Sequence, residues 1–581
     1  MKIFRFSPTY FQLAAALTLL MAATPDKVAV AQTASYDRPT VNFILLTHGD
    51  GYDAATLKAF QKIPAEEKFY SNKLNTSEAK LPQMPRSNAS PTAWQVVQAE
   101  LTRQNVAKQE VVAWYLRKPD GGMSMDLIHR RGEINATDEA FLMANATKRG
   151  VDELKDLGRK LISKTYVVAL DYSNVSYSAN AETDIHSWKA TMRAMVFKLK
   201  FNGEVENSIY EAWPDEQDSP EALSEKNSRF DQIPFELEFV AQSGVNISAS
   251  ALITGKSSGK QSGIQSLATL TLRKTSREDL LDEMLLTGYG SMMNELEKKV
   301  AAFKVQSGVW ELDPIRAKIG KKEGLKTDQR YYVLEYEQNS RGQLKAVRKA
   351  VVRVADDITD NRAMATGKSE ASKFYQIAGR RVEKGMTLEQ RNDAGIGLLL
   401  GYDPGVGGAE KWLLRAEILT NRFINLGIWP GLYLYVEGEM EPTSYALTDK
   451  FANDYAIAQS GDKSSYLFTR ANVGLGKGFY FWRNFSLSPY VGFGWEAVSV
   501  SSSLSLESFC YKAGANLTVN IYYPLQLVGG VSGLTYGKPT LKNSDDSSNA
   551  TTTDTPQKYS DIFSGRSSGI VSGFVGVRIN F

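Results

Sequence analysis

The residue types most often used in catalysis and metal binding are scarce in this chain. Its 581 residues include three histidines and one cysteine, Cys510. His48 begins the loop His48-Gly49-Asp50-Gly51, a pattern compatible with a metal or phosphate site and also with a simple turn, which we favour. His129 and His186 lack the spacing of zinc ligands. The sequence also has no phosphate-binding Gly-rich loop, nucleophile elbow or HExxH motif, so it predicts no metal site, no cofactor and no enzyme.

Charged side chains near the C-terminus have the most regular spacing. Four cations and four carboxylates occupy the polar positions of segments that alternate polar and apolar residues: Arg415, Glu417, Glu437, Glu439, Arg470, Glu496, Lys512 and Arg578. Buried charges must be paired and hydrogen-bonded, or each costs on the order of several kcal/mol. Four cations can pair with four carboxylates, so we expect a buried charge network. The region has no histidine to act as a general base.

Eight alternating segments must position these charges. Their spans are 390–401, 411–420, 431–440, 465–477, 486–498, 508–521, 524–536 and 569–581. Successive side chains of a strand point to opposite faces, and about ten residues suffice for a tilted strand to cross a bilayer. The charges keep to one face, apart from Lys477 at the end of the fourth segment, and the other face is apolar. An edge strand of a soluble protein can also alternate, but eight such segments favour a membrane barrel.

The last segment, SGIVSGFVGVRINF, resembles the terminal strand of bacterial outer-membrane barrels, which ends in Phe. The whole array resembles small barrels of the outer membrane protein A and X type. This resemblance implies eight antiparallel strands, contact with outer-membrane lipid, and a C-terminal signal for the barrel-assembly machinery at Val575, Val577, Ile579 and Phe581. An eight-stranded barrel is only wide enough for side chains to fill. We therefore expect a lumen plugged by the charge network, and a narrow channel is the weaker alternative.

The N-terminus has the pattern of an export signal. Lys2 and Arg5 precede an apolar run, and Ala29-Val30-Ala31 fits a cleavage site. We therefore expect a signal peptide over residues 1–31 and an exported mature chain. One cysteine allows no internal disulfide. The formal net charge of +3, without a long basic tract, argues against a nucleic-acid partner.

Residues 32–305 mix helical and strand patterns, which predicts an α+β domain. Strands are expected at 41–47, 165–172, 192–201, 234–241 and 267–272. Helices are expected at 93–103, with Ser90-Pro91 at its start, at 138–163, and at 277–303 after the cap Thr275-Ser276. Asp279 and Glu283 lie in the early turns of the last helix, where carboxylates suit the helix dipole.

Residues 306–386 change to short strands. Ile319-Gly320, Gly324-Leu325, the strand-like runs 331–336 and 351–354, and the closing run 382–385 resemble a small SH3-like β module. The C-terminal module of flagellar assembly protein T is similar, although Thr327-Asp328 here replaces its usual Gly-Asp pair. The resemblance implies binding of a protein or glycan. Residues 387–581 are then left for the barrel.

The connections between the eight segments predict an orientation. Those near Asn425, Trp482 and Pro524 are short, whereas 441–464 and 538–568 are long. Outer-membrane barrels have short periplasmic turns and longer extracellular loops. We therefore expect the long loops outside and both the N-terminal domain and the C-terminus in the periplasm. An interfacial girdle is expected near the short turns: Tyr480, Phe481, Trp482, Tyr522 and Tyr523.

Two functions fit this organisation. The first is a non-enzymatic anchor that holds the periplasmic region at the outer membrane, where it binds another envelope protein or peptidoglycan. The second is a surface adhesin or receptor that acts through the long loops 441–464 and 538–568.

Overall fold

We describe the chain from a computed structural model, for residues 38–63, 66–81, 93–135, 148–180, 185–252, 276–338, 344–362, 370–405, 409–424, 426–455, 457, 463–502, 504–543 and 556–581. The expected signal peptide 1–31, the helix start Ser90-Pro91, the expected strand 267–272 and the turn residue Asn425 lie outside these residues. Within them, no helix is both long enough and apolar enough to cross a membrane.

The N-terminal region is an α+β domain, as the sequence predicts. Its strands are β1 (Thr40–Thr47), β2 (Glu78–Lys80), β3 (Thr165–Asn180), β4 (Ile185–Leu199) and β5 (Leu237–Leu252). Its helices are α1 (Asp53–Gln61), α2 (Trp94–Arg103), α3 (Val106–Trp114), α4 (Asp126–Asn135), α5 (Lys148–Ile162), α6 (Gly203–Glu211), α7 (Pro220–Gln232) and α8 (Arg277–Lys299). The sheet order is β2-β1-β3-β4-β5, with β1 parallel to its two neighbours and the other pairs antiparallel.

Two hydrophobic cores form on the two faces of this sheet. One lies under α1 and α8, and the other lies under α2 to α7. The first half of β3 is buried on both faces, which suits its β-branched and aromatic sequence. Helix α8 begins where the Ser276 hydroxyl accepts a hydrogen bond from the Asp279 N–H at 3.0 Å. The α8 helix stops at Lys299, and residues 301–303 continue as a 3₁₀ turn.

A small closed barrel follows. Its strands are β6 (Gln306–Leu312), β7 (Ile315–Ala317), β8 (Arg330–Gln338), β9 (Leu344–Val354), β10 (Ser372–Gly379) and β11 (Thr387–Gln390), in the order β10-β7-β6-β11-β8-β9. Its relation to SH3-like modules stays a prediction. The boundary expected at residue 386 is wrong, because β11 pairs with β6 and β8. Four consecutive polar residues, 390–393, run from the end of β11 towards the next strand at Ile396, so the boundary between the two barrels lies after β11.

The C-terminal region is a closed barrel of eight antiparallel strands. They are β12 (Ile396–Pro404), β13 (Glu410–Leu419), β14 (Leu432–Ala446), β15 (Lys463–Lys477), β17 (Phe485–Ser499), β18 (Leu504–Tyr522), β19 (Leu525–Tyr536) and β21 (Gly569–Asn580). The pairs β12–β21 and β17–β18 close the ring. The expected fold class is confirmed, although the first strand begins six residues later than expected and the third extends six residues further.

Four short elements lie at the two ends of this barrel. Near the small module are α9 (Thr420–Phe423) and β16 (Phe479–Trp482), and we call this the module end. At the opposite, far end are α10 (Asp449–Asp454) and β20 (Thr540–Asn543). The strand β16 pairs with β17, and β20 pairs with β18.

Two helical glycines of the α+β domain should respond oppositely to alanine. A Cβ at Gly158 in α5 would lie 2.2 Å from the Ile128 carbonyl oxygen of α4, whereas a Cβ at Gly290 in α8 would meet nothing within 4 Å. We expect Gly158→Ala to lower the free energy of unfolding by about 1–3 kcal/mol through overpacking. Gly290→Ala should raise it by about 0.5–1 kcal/mol. Thermal loss of the helical circular dichroism signal of the full chain in detergent measures both, and equal midpoints would contradict the close approach of α4 and α5.

Candidate functional site

Among the described residues, twelve buried charged side chains lie in the lumen of the large barrel, six cations and six carboxylates. They are Asp403, Lys411, Arg415, Glu417, Glu437, Glu439, Glu441, Arg470, Glu496, Lys512, Arg566 and Arg578. All eight residues expected in the charge network point inward and belong to this set. The other four, which sequence reasoning missed, are Asp403, Lys411, Glu441 and Arg566. Three of these continue the inward alternation of their strands, but Arg566 follows no strand pattern.

Arg470 is the centre of the far half of the network. Its guanidinium donates to Glu439 at 2.8 Å, to Glu496 at 2.5 Å, and also to Glu441. Arg566 reaches back from the β19–β21 connection and contacts Glu441 at 3.0 Å and Glu496 at 2.9 Å. Two arginines therefore share two carboxylates, a charge-assisted arrangement that satisfies several donors at once.

Lys512 joins this half to the module end. Its ammonium donates to Glu437 at 2.5 Å and also to Glu439. Glu437 in turn lies 2.6 Å from Arg415. The Arg415 guanidinium stacks near the rings of Tyr435 and Tyr490, at 4.6 and 4.2 Å from their centroids. Cation–π contacts of this kind add to the ion pairs in holding a desolvated guanidinium.

Two further ion pairs complete the network. Arg578 donates to Glu417 at 2.8 Å and to the Gln526 amide oxygen at 2.5 Å. Lys411 lies 3.5 Å from Asp403. Each of the six lumen carboxylates thus has a cation within 4.0 Å. Each of these carboxylates therefore serves as the counter-ion of a lumen cation. This geometry suits a structural plug.

An outer cap, residues 447–455 and 556–567, covers the far end of the lumen. The two segments are joined by a bridge between Leu447 and Phe563 and by a 2.6 Å hydrogen bond from the Thr448 hydroxyl to the Asp561 carbonyl. Beneath them is a cluster of buried aromatic and aliphatic side chains. The guanidinium of Arg566 lies 3.5 Å from the centroid of the Phe468 ring, between the cap and the network. Of the expected loops 441–464 and 538–568, the described residues are partly strand and partly cap, and residues 456, 458–462 and 544–555 lie outside the described ranges.

The outward face of the barrel is an apolar belt. Its exposed side chains include Leu400, Trp412, Leu414, Val436, Leu467, Val491, Phe493, Trp495, Leu517, Val531, Val571 and Val575. On the eight strands that close the barrel, outward charges occur only near strand ends, at Glu410, Lys463, Lys477 and Glu507, and the short strand β20 adds the exposed Lys542. A closed barrel pairs all backbone groups internally and can present such a belt to hydrocarbon.

The C-terminal region of this chain has the fold of an eight-stranded outer-membrane β-barrel. Val575, Val577, Ile579 and Phe581 all lie on its outward, exposed face near the module end. Their role as an assembly signal stays a prediction.

Comparisons with known proteins found matches only among solved structures. No family model matches the chain, and no curated protein matches it. Among solved structures, a major outer membrane protein from Thermus thermophilus is similar, with 13% identity over 32% of this chain and 98% of that chain, and a TM-score of 0.22. Neisserial surface protein A is 10% identical over 33% of this chain and 100% of that chain, with a TM-score of 0.21. Ail of Yersinia pestis is 14% identical over 32% of this chain and 98% of that chain, with a TM-score of 0.18.

Asp328 of the small module is the principal contact with the barrel. Its buried carboxylate accepts hydrogen bonds from the Gly431 N–H at 2.9 Å, the Asn421 amide at 2.9 Å and the Tyr375 hydroxyl at 2.5 Å. Gly431 and Asn421 belong to the connection between β13 and β14. In the resemblance to the flagellar module, Thr327 departs from the usual Gly-Asp pair and Asp328 matches it. No local pattern indicates that this aspartate binds the barrel.

The other two module-end connections also contact the module. The Gly379 N–H donates to the Asn484 side chain at 2.7 Å. The Asn520 amide donates to the Ile377 carbonyl at 2.8 Å, and Arg330 donates to the Tyr523 hydroxyl at 2.8 Å. All three connections at this end of the barrel are therefore bonded to the module, which covers the lumen there.

This contact corrects part of the expected aromatic girdle. Tyr523 is buried against the module, and Tyr480 packs in the same apolar cluster. Phe481, Trp482 and Tyr522 are exposed, as an interfacial girdle requires. The sequence could not separate the two groups, because aromatic residues suit both a protein contact and a membrane interface.

The histidine loop of the α+β domain is a structural turn. Among the described residues, no group of three His, Cys, Asp or Glu side chains is arranged to hold a metal ion. In the loop that begins at His48, Asp53 accepts the backbone N–H groups of His48 and Gly49. The His48 side chain is buried against Asp171, with 2.8 Å between Nε2 and Oδ1. This pair links β1 to β3 within the α+β domain.

We expect removal of the lumen cation Lys512 to destabilise the barrel strongly. Lys512→Met leaves Glu437 and Glu439 with one cation fewer in a buried site, and breaking a buried pair typically costs about 3–5 kcal/mol. The measurement is the temperature at which the compact band of unheated protein converts to the unfolded band on a gel. The matched control is Lys542→Met, which removes an exposed pair with Glu507 and should cost less than about 1 kcal/mol. Equal midpoints would contradict a buried network.

We expect loss of the Asp328 carboxylate to loosen the module from the barrel. Asp328 has a φ of +66°, so Asp328→Gly fits the backbone while leaving three donors without an acceptor. A buried unsatisfied donor costs about 1–3 kcal/mol, so protease cleavage within residues 391–395 should be about tenfold faster or more. Asp360→Gly, at an exposed position of the same module, is the control. Unchanged cleavage in the Asp328 variant would show that other contacts hold the module.

Proposed function

We propose that the protein is a non-enzymatic outer-membrane anchor, in which the barrel fixes the module and the α+β domain at the periplasmic side of the membrane. The observation that carries this proposal is the bonding of all three module-end connections to the module. A barrel needs none of these bonds to close. Their presence is explained if the position of the module relative to the membrane matters.

The same fixed geometry extends into the α+β domain. The Glu297 carboxylate of α8 accepts hydrogen bonds from Gln390 at 3.0 Å and from Asn392, which lie at the end of the module. Lys68 of the α+β domain also pairs with Glu297. Arg38 reaches Glu323 of the module at 2.7 Å, and both side chains are buried. Buried charges held in this way resist relative motion, so the soluble region is a rigid extension of the barrel.

The lengths of the connections support the periplasmic side for the module. The two long connections start after Ala446 and Tyr536 and end before Lys463 and Gly569. These strand ends all lie at the far end of the barrel, where extracellular loops are expected. The N-terminal domain and the C-terminus then share the periplasmic side. Outer-membrane lipid contacts the belt, and the barrel-assembly machinery reads the terminal strand. The soluble region then faces another envelope protein or peptidoglycan.

The two other functions fit less well. An adhesin would act through the far-end loops, but residues 447–455 and 556–567 pack on each other and on the lumen. A channel needs a continuous water path, but charged and aromatic side chains fill the lumen between the cap and the module. The cavity beside Glu417 and Arg578, near the module end, has a volume of only about 50 Å³.

Labelling of introduced cysteines tests the anchor orientation. The native Cys510 is buried in the lumen and should give no background. Ser560→Cys lies on the outer cap and Glu383→Cys lies on the module, and both positions are exposed. We expect a membrane-impermeant maleimide to label Ser560→Cys on intact cells. Glu383→Cys should react only after the outer membrane is permeabilised.

Two outcomes would overturn the proposed function. The first is labelling of Glu383→Cys on intact cells, which would put the module outside. The second is recovery of the full chain in the aqueous periplasmic fraction without detergent, which would exclude a membrane anchor.

A further inference from the structure

A groove crosses the surface of the α+β domain between α3, α4 and the loop of residues 71–75. Its volume is about 710 Å³, within the range of roughly 300–1,000 Å³ typical of ligand pockets. The proposed anchoring role does not involve it. Its lining combines polar side chains with the aliphatic residues Val112, Ala113, Leu116 and Leu127.

The charged side chains that line the groove are all cationic. Lys73, Lys108, Arg117 and Arg131 line it, and no aspartate or glutamate of the described chain does. Lys108 is paired at 2.8 Å with Asp231 outside the groove. For Arg117 and Arg131, no carboxylate of the described residues lies within 4.0 Å. A concave surface lined by cations attracts an anionic ligand.

Arg131 gives the groove a buried cation that makes no direct ion pair with a described side chain. Only 6% of this residue is exposed, and its guanidinium stacks on Trp114, 4.3 Å from the ring centroid. Its hydrogen-bond acceptors are neutral, the Thr40 hydroxyl at 3.1 Å and the Ser71 carbonyl at 3.3 Å. Burial lowers the pKa of Arg131 to about 10. A ligand carboxylate would supply the missing counter-ion.

The nearby carboxylate of Glu110 is a poor substitute for that ligand. Glu110 is fully buried and accepts hydrogen bonds from the side chains of Asn42 and Asn72, both at 2.6 Å. Burial raises the pKa of Glu110 to about 7, so near neutral pH a large fraction is uncharged. Glu110 therefore compensates the Arg131 charge only in part.

Leu116 supplies an apolar contact at a cost in backbone energy. It follows the last residues of α3 with a φ of +46°, in the left-handed region that glycine usually occupies at a helix end. The Arg117 N–H donates to the Val112 carbonyl at 2.9 Å, which completes the helix-terminating turn. The leucine side chain is 41% exposed beside Val112 and Ala113. An exposed, strained leucine in a groove is explained if the side chain contacts a ligand.

We propose that this groove binds a short acidic peptide segment of a partner protein. Ligand carboxylates would meet Arg117 and Arg131, and a neighbouring aliphatic side chain would pack on Leu116. A peptide suits the lining better than a sugar chain, because no aromatic ring of the described residues lines the groove to stack on a sugar face. The inference rests on the proposed function for its place beneath the outer membrane. The binding itself is measured on purified protein and is independent of that orientation.

The test uses the full chain in detergent and two blocked six-residue peptides, one alternating leucine and glutamate and the other alternating leucine and glutamine. We expect the glutamate peptide to bind at least tenfold more tightly in a fluorescence anisotropy titration. Arg117→Gln should weaken its binding about tenfold or more. Lys118→Gln is the matched control, because Lys118 is the exposed neighbour outside the groove lining, and it should change the affinity less than twofold.

Leu116→Gly separates a binding defect from a folding defect. Glycine relieves the left-handed backbone, so the thermal midpoint should stay the same or rise while the affinity for the glutamate peptide falls about fivefold. Equal affinity for the two peptides would overturn the proposal, as would unchanged binding by Arg117→Gln. Binding of cell-wall disaccharide-peptide fragments in preference to the glutamate peptide would also overturn it. None of these results bears on the cysteine labelling, so failure of the groove and failure of the anchor are distinguishable.

Discussion

The pairing of charges inside the barrel is the constraint on which the rest of this structure depends. Eight strands leave an interior only wide enough for side chains, and here twelve of those side chains are charged. Buried charges are tolerated there only if cations and carboxylates are paired and hydrogen-bonded, because each loses its hydration. In this network one charge often pairs with several others. Arg470, for example, contacts three carboxylates.

Each end of the lumen is covered by a different part of the chain. At the far end, Arg566 carries its charge into the network while its guanidinium lies against the aromatic cluster of the outer cap. At the module end, the small barrel covers the opening and is bonded to all three connections. One cover is thus made from the loops of the barrel, and the other from a separate domain. This difference gives the molecule its polarity, with a compact cap on one side and a large soluble region on the other.

The soluble region is attached by buried polar contacts rather than by a flexible linker. Asp328 at one junction and Glu297 at the next each accept several hydrogen bonds from the neighbouring unit. Directional bonds of this type fix orientation as well as proximity. The α+β domain and its cationic groove are therefore held in a fixed position relative to the large barrel.

The sequence by itself determined the eight strands, their inward and outward faces and the eight charges first assigned to the lumen, because alternation with period two is a local property of the chain. It also determined the α+β character of the N-terminal domain from helical and strand spacing. The tertiary structure alone decided that Arg566 contacts Glu441, 125 residues away, and that Asp328 binds Gly431, 103 residues away. It alone showed that Tyr480 and Tyr523 face the module, and that residues 387–390 belong to the small barrel. These features depend on which distant segments meet, and no local periodicity records that information.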